Sequence, residues 1–435
     1  MTGLKSVRGV ALAAALLGSV SVQALAADAP PVTVLKAARM FDAAAGKMVS
    51  PGLVVVQGDK ILASGPNAKQ PDGAKVIDLG DATLTPGFID SHVHMSSQDH
   101  GDWYKGFFDT LMQHPPELAL RATAYTKAMV EAGFTTVRDL GDNDYISLGL
   151  RNAIKAGAIE GPRMLVANYA IGSTGGHADQ DPIRPDTVAQ AGPIKGVCNG
   201  PEECRAAVRY QMKYGADVIK FMPSGGVLSL ADPVDVPQLT QEEMNAIVSE
   251  AHAWHRKVAA HCHGDLAAKM AIKAGVDSIE HGTFLQEDTL KLMKEKGVYL
   301  VPTLFATYWV GAHADGYPPA IAEKGRAASA QGQKMFSWAV KAGTKVAFGT
   351  DAAVEPHGQG AKEFSLMTSA GFTPVQALQA ATINAADLLG VSADSGTLDA
   401  GKRADIVALP GDPTKDITVT EHPKFVMANG KIVKE

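Results

Sequence analysis

Ala216–Phe221 (ADVIKF), Lys257–His261 (KVAAH), Val276–His281 (VDSIEH) and Val298–Thr303 (VYLVPT) are separated by Glu242–Arg256 (EEMNAIVSEAHAWHR), Leu266–Gly275 (LAAKMAIKAG) and Thr289–Gly297 (TLKLMKEKG), and this stretch decides the fold. The first four are apolar runs of strand length, and the three between them are helical in pattern. Strict strand–helix alternation implies parallel strands, because a parallel neighbour is reached only through a crossover. The pattern continues outward on both sides. Upstream lie LTPGFIDSH from Leu84, FTTVRDL from Phe134 and PRMLVANYAI from Pro162; downstream lies KVAFGTD from Lys345. Eight strands, most followed by a helix, predict an α/β chain folded as a (β/α)8 TIM barrel. An open doubly wound sheet is the alternative. It calls for a Gly-rich dinucleotide turn after the first strand, where this chain places two histidines.

In such a barrel the chemistry collects at the C-terminal tips of the strands. Those tips carry His92 and His94 on the first strand, Lys220 on the fourth, His261 on the fifth, His281 on the sixth and Asp351 on the eighth. Side chains two apart on a strand share a face, so His92 and His94 converge, and neutral imidazole is a common zinc ligand. Any one of the six alone reads as a satisfied buried polar group; together at the strand tips they read as a metal site. An ammonium cannot bind a metal. Burial beside two dications would depress the pKa of Lys220, and the neutral amine could add carbon dioxide to give a bridging carbamate. A salt bridge from Lys220 to Asp351 is the alternative.

A second group of residues surrounds these. His263 shares the facing of His261, just past the strand end, and reads as a substrate contact or a support. His177 follows Ser173-Thr174-Gly175-Gly176 on the loop after the third strand, placed to polarise a carbonyl or hold a carboxylate. Ser224, Gly225 and Gly226 could offer backbone amides to a substrate carboxylate. Trp103, Tyr104, Phe107 and Phe108 could line an apolar pocket or pack on the barrel rim. His252 and His255 lie on a helix expected outside the barrel and lack a third partner. His100 and His357 follow the first and eighth strands, where a rim position is open to them. Cys262 faces away from His261 and reads as a small buried side chain.

Residues 1–26 read as a secretory signal peptide: Lys5 and Arg8, an apolar run over 9–20, and Ala24-Leu25-Ala26 before the cut. The protein is therefore expected in the periplasm or outside the cell. Three cysteines exclude a disulfide-rich scaffold; export would permit a Cys198–Cys204 bond, which sequence alone leaves open. A net charge of −6 without basic runs predicts neither nucleic acid nor an anionic membrane surface as a partner. Short β-rich runs broken by turns occupy residues 27–85 and return over 391–435. They predict one small β-sandwich domain assembled from both ends around a barrel at 86–390.

The histidine pair after Pro86-Gly87-Phe88-Ile89-Asp90, followed by Lys220, His261, His281 and Asp351, resembles the amidohydrolase superfamily of binuclear metal enzymes. AHCHG with AGVDSIEHG, the loops IGSTGGH and IKFMPSGGV, and the helix TPVQALQAATINAADLLG are similar to one branch of it. That branch holds bacterial Xaa-Pro dipeptidases and carboxypeptidases and ochratoxin-hydrolysing amidohydrolases. The resemblance spans nearly the whole mature chain and departs at Cys262, where alanine is commoner. It implies two divalent ions, zinc first among them. His92, His94 and Asp351 would hold one ion and His261 and His281 the other, with carboxylated Lys220 and a hydroxide bridging them. Asp351 would move the proton to the leaving amine, on a small-molecule amide bearing a C-terminal amino acid. A homo-oligomer is also implied. A cyclic-amide or lactone hydrolase on the same centre is the alternative activity; a non-catalytic scaffold would show broken ligand positions, and none is broken.

Overall fold

The computed structural model describes residues 30–99, 101–179, 184, 191–230 and 232–435; the segment 1–26 read as a signal peptide and His100 lie outside them. The strands around the histidine tips are β1 (Phe88–Val93), β2 (Phe134–Asp139), β3 (Arg163–Val166), β4 (Val218–Phe221), β5 (Lys257–Cys262), β6 (Ser278–His281) and β7 (Tyr299–Val301). They pair parallel as β1–β2–β3 and as β4–β5–β6–β7. Nearly every residue of these strands is buried, as expected when helices cover a parallel sheet.

Single bridges continue the order past the ladders. Ile171 bridges Phe221, Leu300 bridges Val346, and Val93 bridges Ala352. The eighth expected strand, KVAFGTD, thus joins both neighbours through isolated bridges and no continuous ladder. Ser91 donates its N–H to the Phe348 carbonyl, and Asp351 donates to the His92 carbonyl at 2.8 Å. Gly349 explains the tight fit: a Cβ there would stand 2.3 Å from Val301 Cγ1 and 3.1 Å from His92.

The helices follow their sequence signals. In Gln241–Ala253, Thr240 caps the Glu243 N–H while the Glu243 carboxylate returns to the Thr240 N–H. That helix buries Met244, Ile247, Val248 and Ala251, one apolar face set against the strands. Trp103–Met112, which carries the aromatic run after the first strand, is a helix of its own. Among the described residues, no helix is long and apolar enough to cross a membrane.

The β-rich ends meet. A six-stranded sheet runs Lys431–Lys434, Phe425–Ala428, Ile406–Pro410, Ala82–Pro86, Arg39–Asp42 and Lys47–Val49, so that Ile406–Pro410 pairs antiparallel with Ala82–Pro86. A four-stranded sheet of Lys60–Ser64, Gly52–Gln57, Val32–Ala37 and Lys75–Asp78 shares a core with it, through Leu35, Val54, Leu84, Ile406 and Phe425. Residues 31–435 form one compact unit. Cys198 and Cys204 are joined in a disulfide, and Cys262 is free and buried, its thiol pushed well up by burial.

Candidate metal centre

His92 and His94 leave β1 toward a common atom. His92 Nε2 lies 3.3 Å and His94 Nε2 3.2 Å from Asp351 Oδ1, because the Val93–Ala352 bridge sets the last segment beside the first. One ligand atom each from His92, His281 and Asp351 falls within a 4.8 Å span, and so does one each from His261, His263 and His281. Lys220 Nζ stands 3.2 Å from His92 Nε2. The six residues expected at the strand tips therefore converge, and His263 joins His261 and His281 at the same span. His281 and Asp351 hold positive φ of 67° and 70°, a conformation costly for residues with a Cβ and concentrated at functional sites.

The outer nitrogens are already engaged. His92 Nδ1 meets Glu280 Oε2 at 3.0 Å, His94 Nδ1 the Gly141 carbonyl at 2.6 Å, and His281 Nδ1 the Thr303 hydroxyl at 2.8 Å. His263 Nδ1 meets the Thr283 hydroxyl at 2.8 Å. Partners on one ring nitrogen fix the tautomer and turn the other inward, the arrangement metal-ligating histidines adopt. Burial holds His92 at about 4 and His263 at about 3, and drives His261 and His281 well below the ordinary range, so these imidazoles are neutral. Burial also pulls on His94, but the Asp351 carboxylate outweighs it and holds that ring above its usual value. Burial pushes Lys220 down to about 8, close enough to neutrality for a fraction of free amine. Burial alone would raise Asp351; His92 and His94 overcome it and keep the carboxylate at about 2, hence anionic. Neutral imidazoles, a carboxylate and a depressed lysine form a donor set that suits divalent ions.

The centre floors a cavity of about 460 Å³ whose walls include Trp103, Phe107, Met222, Val227, Leu228 and Val310. Trp103 and Phe107 stack at 4.9 Å and face this space, whereas Tyr104 and Phe108 are exposed. Trp103 and Phe107 thus take the pocket-lining role, and Tyr104 and Phe108 face solvent. His177 and His263 also line the cavity. His177 sits against His261 with ring centroids 4.4 Å apart, its Nδ1 2.5 Å from the Ser229 hydroxyl. Ser224 and Gly225 support ligands: the Ser224 hydroxyl accepts the His263 N–H, and the Gly225 carbonyl lies 3.3 Å from His261 Nε2. His252 pairs with Asp277 on the surface at 3.0 Å.

Two contributors were not singled out in the sequence. Arg138 and Glu280 form a fully buried ion pair at 2.9 Å, and the same Glu280 holds His92. The signal was a charge inside each of two apolar strands, FTTVRD and SIEH. His357 stacks on Tyr125 at 4.6 Å and places Nε2 3.2 Å from the His94 carbonyl, fixing the backbone of a ligand.

Residues 83–433 match the model of the amidohydrolase family. The chain belongs to the amidohydrolase family. It is accordingly a hydrolase acting on amide bonds. This amidohydrolase is 35% identical over 370 residues to an ochratoxinase of Aspergillus niger, covering 81% of this chain and 75% of that protein. Its fold matches a crystal structure of a Xaa-Pro dipeptidase with methionine in the active site at a TM-score of 0.87 and 37% identity, covering 93% of this chain and all of the other. The crystal structure of the A. niger ochratoxinase matches at 0.82 and 31%, covering 94% and 96%.

One glycine in this amidohydrolase sets the place of His177. A Cβ on Gly226 would fall 2.0 Å from His177 Cε1 and 2.2 Å from Nδ1. Gly226→Ala is therefore expected to expel the ring from the cavity and lower kcat/KM by on the order of 10²-fold, with bound metal retained. Steady-state kinetics beside metal analysis of the same preparation checks it; unchanged kinetics would remove His177 from the site.

Proposed function

We propose that this amidohydrolase is a binuclear, zinc-dependent enzyme that cleaves the amide bond to a C-terminal amino acid, in dipeptides, N-acyl amino acids or ochratoxin-like conjugates. The carrying observation is the ring of histidines whose outer nitrogens are tied to Glu280, Gly141, Thr283 and Thr303 while their free nitrogens converge near Asp351 and Lys220. His92, His94 and Asp351 would hold one ion, and His261 and His281 the other. Lys220 would join them after its neutral Nζ forms a bond to the carbon of carbon dioxide and releases one proton. Bound divalent ions supply an activated water and polarise a carbonyl.

The chain's own groups do the rest. Asp351 is anionic at rest, takes the proton of the attacking water on a carboxylate oxygen and passes it to the departing amine, which leaves poorly without it. His177, neutral and held by Ser229, orients the carbonyl or the carboxylate of the substrate. The apolar walls exclude water around the scissile bond.

The same reading takes the strands and bridges as a closed (β/α)8 barrel over 86–390, and the two terminal sheets as one composite β-sandwich of 27–85 and 391–435. It places the protein in the periplasm or outside the cell after removal of residues 1–26, where the Cys198–Cys204 bond would persist, and takes the working form as a homo-oligomer.

The test is a hydrolysis screen on protein prepared with zinc and bicarbonate. Two ions per chain and amine release from dipeptides or N-acyl amino acids are expected. Fewer than two ions defeats the binuclear centre, and turnover of lactones or cyclic imides alone replaces the substrate class.

A further inference from the structure

We propose that Lys324 is a positioning residue that latches the turn carrying Ser229 and thereby holds His177 over the centre; the inference rests on reading His177 as part of the reaction site. Lys324 lies on the helix Pro319–Ala342, and it does not line the cavity. Its ammonium donates to three main-chain carbonyls, Gly226 at 2.8 Å, Ser229 at 2.6 Å and Asp232 at 3.1 Å. Three carbonyls pointing at one spot repel one another unless a cation with three donors sits among them. An ammonium on a flexible stem, with three donors and one charge, meets that demand.

Ser229 and Gly226 touch His177 directly, and Asp232 reaches it through Gln238. The Ser229 hydroxyl meets its Nδ1 at 2.5 Å, and the Gly226 backbone lies flush against its ring. Asp232 Oδ2 accepts from the Gly226 N–H at 3.2 Å and from Gln238 Nε2 at 2.5 Å. The Gln238 side-chain oxygen then accepts the His177 N–H at 2.9 Å. Val227 and Leu228, on the same turn, form part of the cavity wall. Lys324 thus controls His177 from two sides, through the hydroxyl on its ring and through the amide on its backbone. Hydrogen bonds from a charged donor are the strong kind, and they add to the packing of Val227 and Leu228 with Val310 and Ile321 in holding the turn.

Lys324→Met keeps the stem and removes the donors. In the full-length, metal-loaded protein it is expected to lower kcat/KM by about 10- to 100-fold, the range for partners that orient a functional histidine, with metal content unchanged. In a His177→Ala background the same change is expected to cost nothing further, since residues acting through one another are not additive. A further loss of equal size in that background overturns the proposal. Hydrogen–deuterium exchange supplies the arm that needs no substrate: amides over 173–179 and 225–230 are expected to exchange faster in the variant, and unchanged exchange overturns the latch. A wild-type protein inert toward every amide would refute the proposed function while the exchange arm still judges Lys324.

Discussion

Lys220→Ala is expected to abolish turnover, with kcat/KM falling by at least on the order of 10³-fold and metal content dropping below two ions per chain. The reason is the place of the side chain. Lys220 is 1% exposed, at the tip of β4, with its nitrogen 3.2 Å from a histidine nitrogen and beside the Asp351 carboxylate. A buried ammonium among candidate metal ligands is an electrostatic obstacle; a carbamate on the same nitrogen is a ligand. Burial already pushes the amine down to about 8, so neutral nitrogen is available near physiological pH. On the proposed binuclear reading, alanine would remove the bridge and leave the histidines in place. Metal analysis and kinetics on one preparation decide it: full metal and full activity in the variant would leave Lys220 a buried lysine set against His92, with no part in holding metal.

The largest expected effect on stability belongs to Arg138→Met. Arg138 and Glu280 are both buried, and Arg138 also donates to the Ser91 carbonyl at 2.6 Å and to the Ser278 hydroxyl at 3.3 Å. Removing one member of a buried pair strands the other, at a cost of about 3–5 kcal/mol. Glu280 then loses its partner while still carrying His92 Nδ1, so affinity for a divalent ion is expected to fall about 10- to 100-fold as well. Denaturant unfolding and zinc titration measure the two losses; retention of both would mean that Glu280 is satisfied without Arg138. The pair also has a pH signature. Burial would raise Glu280, but Arg138 and His92 outweigh it and hold the carboxyl at about 2, below its ordinary 4.5. A depressed carboxyl contributes stability above its unfolded pKa and loses it as pH falls toward 2. Acid unfolding of the wild type is expected to draw on this group, and the variant to lose that part of the slope.

Much of the fold and site was legible in order. The period of the apolar residues marked strands and helices, and polar residues ending apolar strands marked the tips, so His92, His94, Lys220, His261, His281 and Asp351 could be named before any coordinate. Their neighbours were harder. Glu280 sits one residue from His281 and reads as a strand residue facing elsewhere; that it holds His92 follows from the arrangement of β1, β2 and β6 around one centre. His263 was placed by alternation beside His261, and its ligand-distance approach to His281 depends on the turn after β6, where His281 has positive φ. Ser224 and Gly225 looked like amide donors to a ligand, but their contacts to His263 and His261 depend on which way a turn folds. Lys324 carried no signal, since its partners are carbonyls and every residue has one.

What the sequence determined by itself is the local chemistry: which runs are strands, which are helices, and which side chains with ligand or proton-transfer capacity stand at strand ends. Periodicity and residue type suffice there, because both act within a few residues of chain. The tertiary structure decided the pairings that close the site, from Asp351 against His92 and His94 to Glu280 with Arg138 and the Lys324 latch behind His177. Those partners are distant in sequence and meet through the packing of whole elements, which no local pattern encodes.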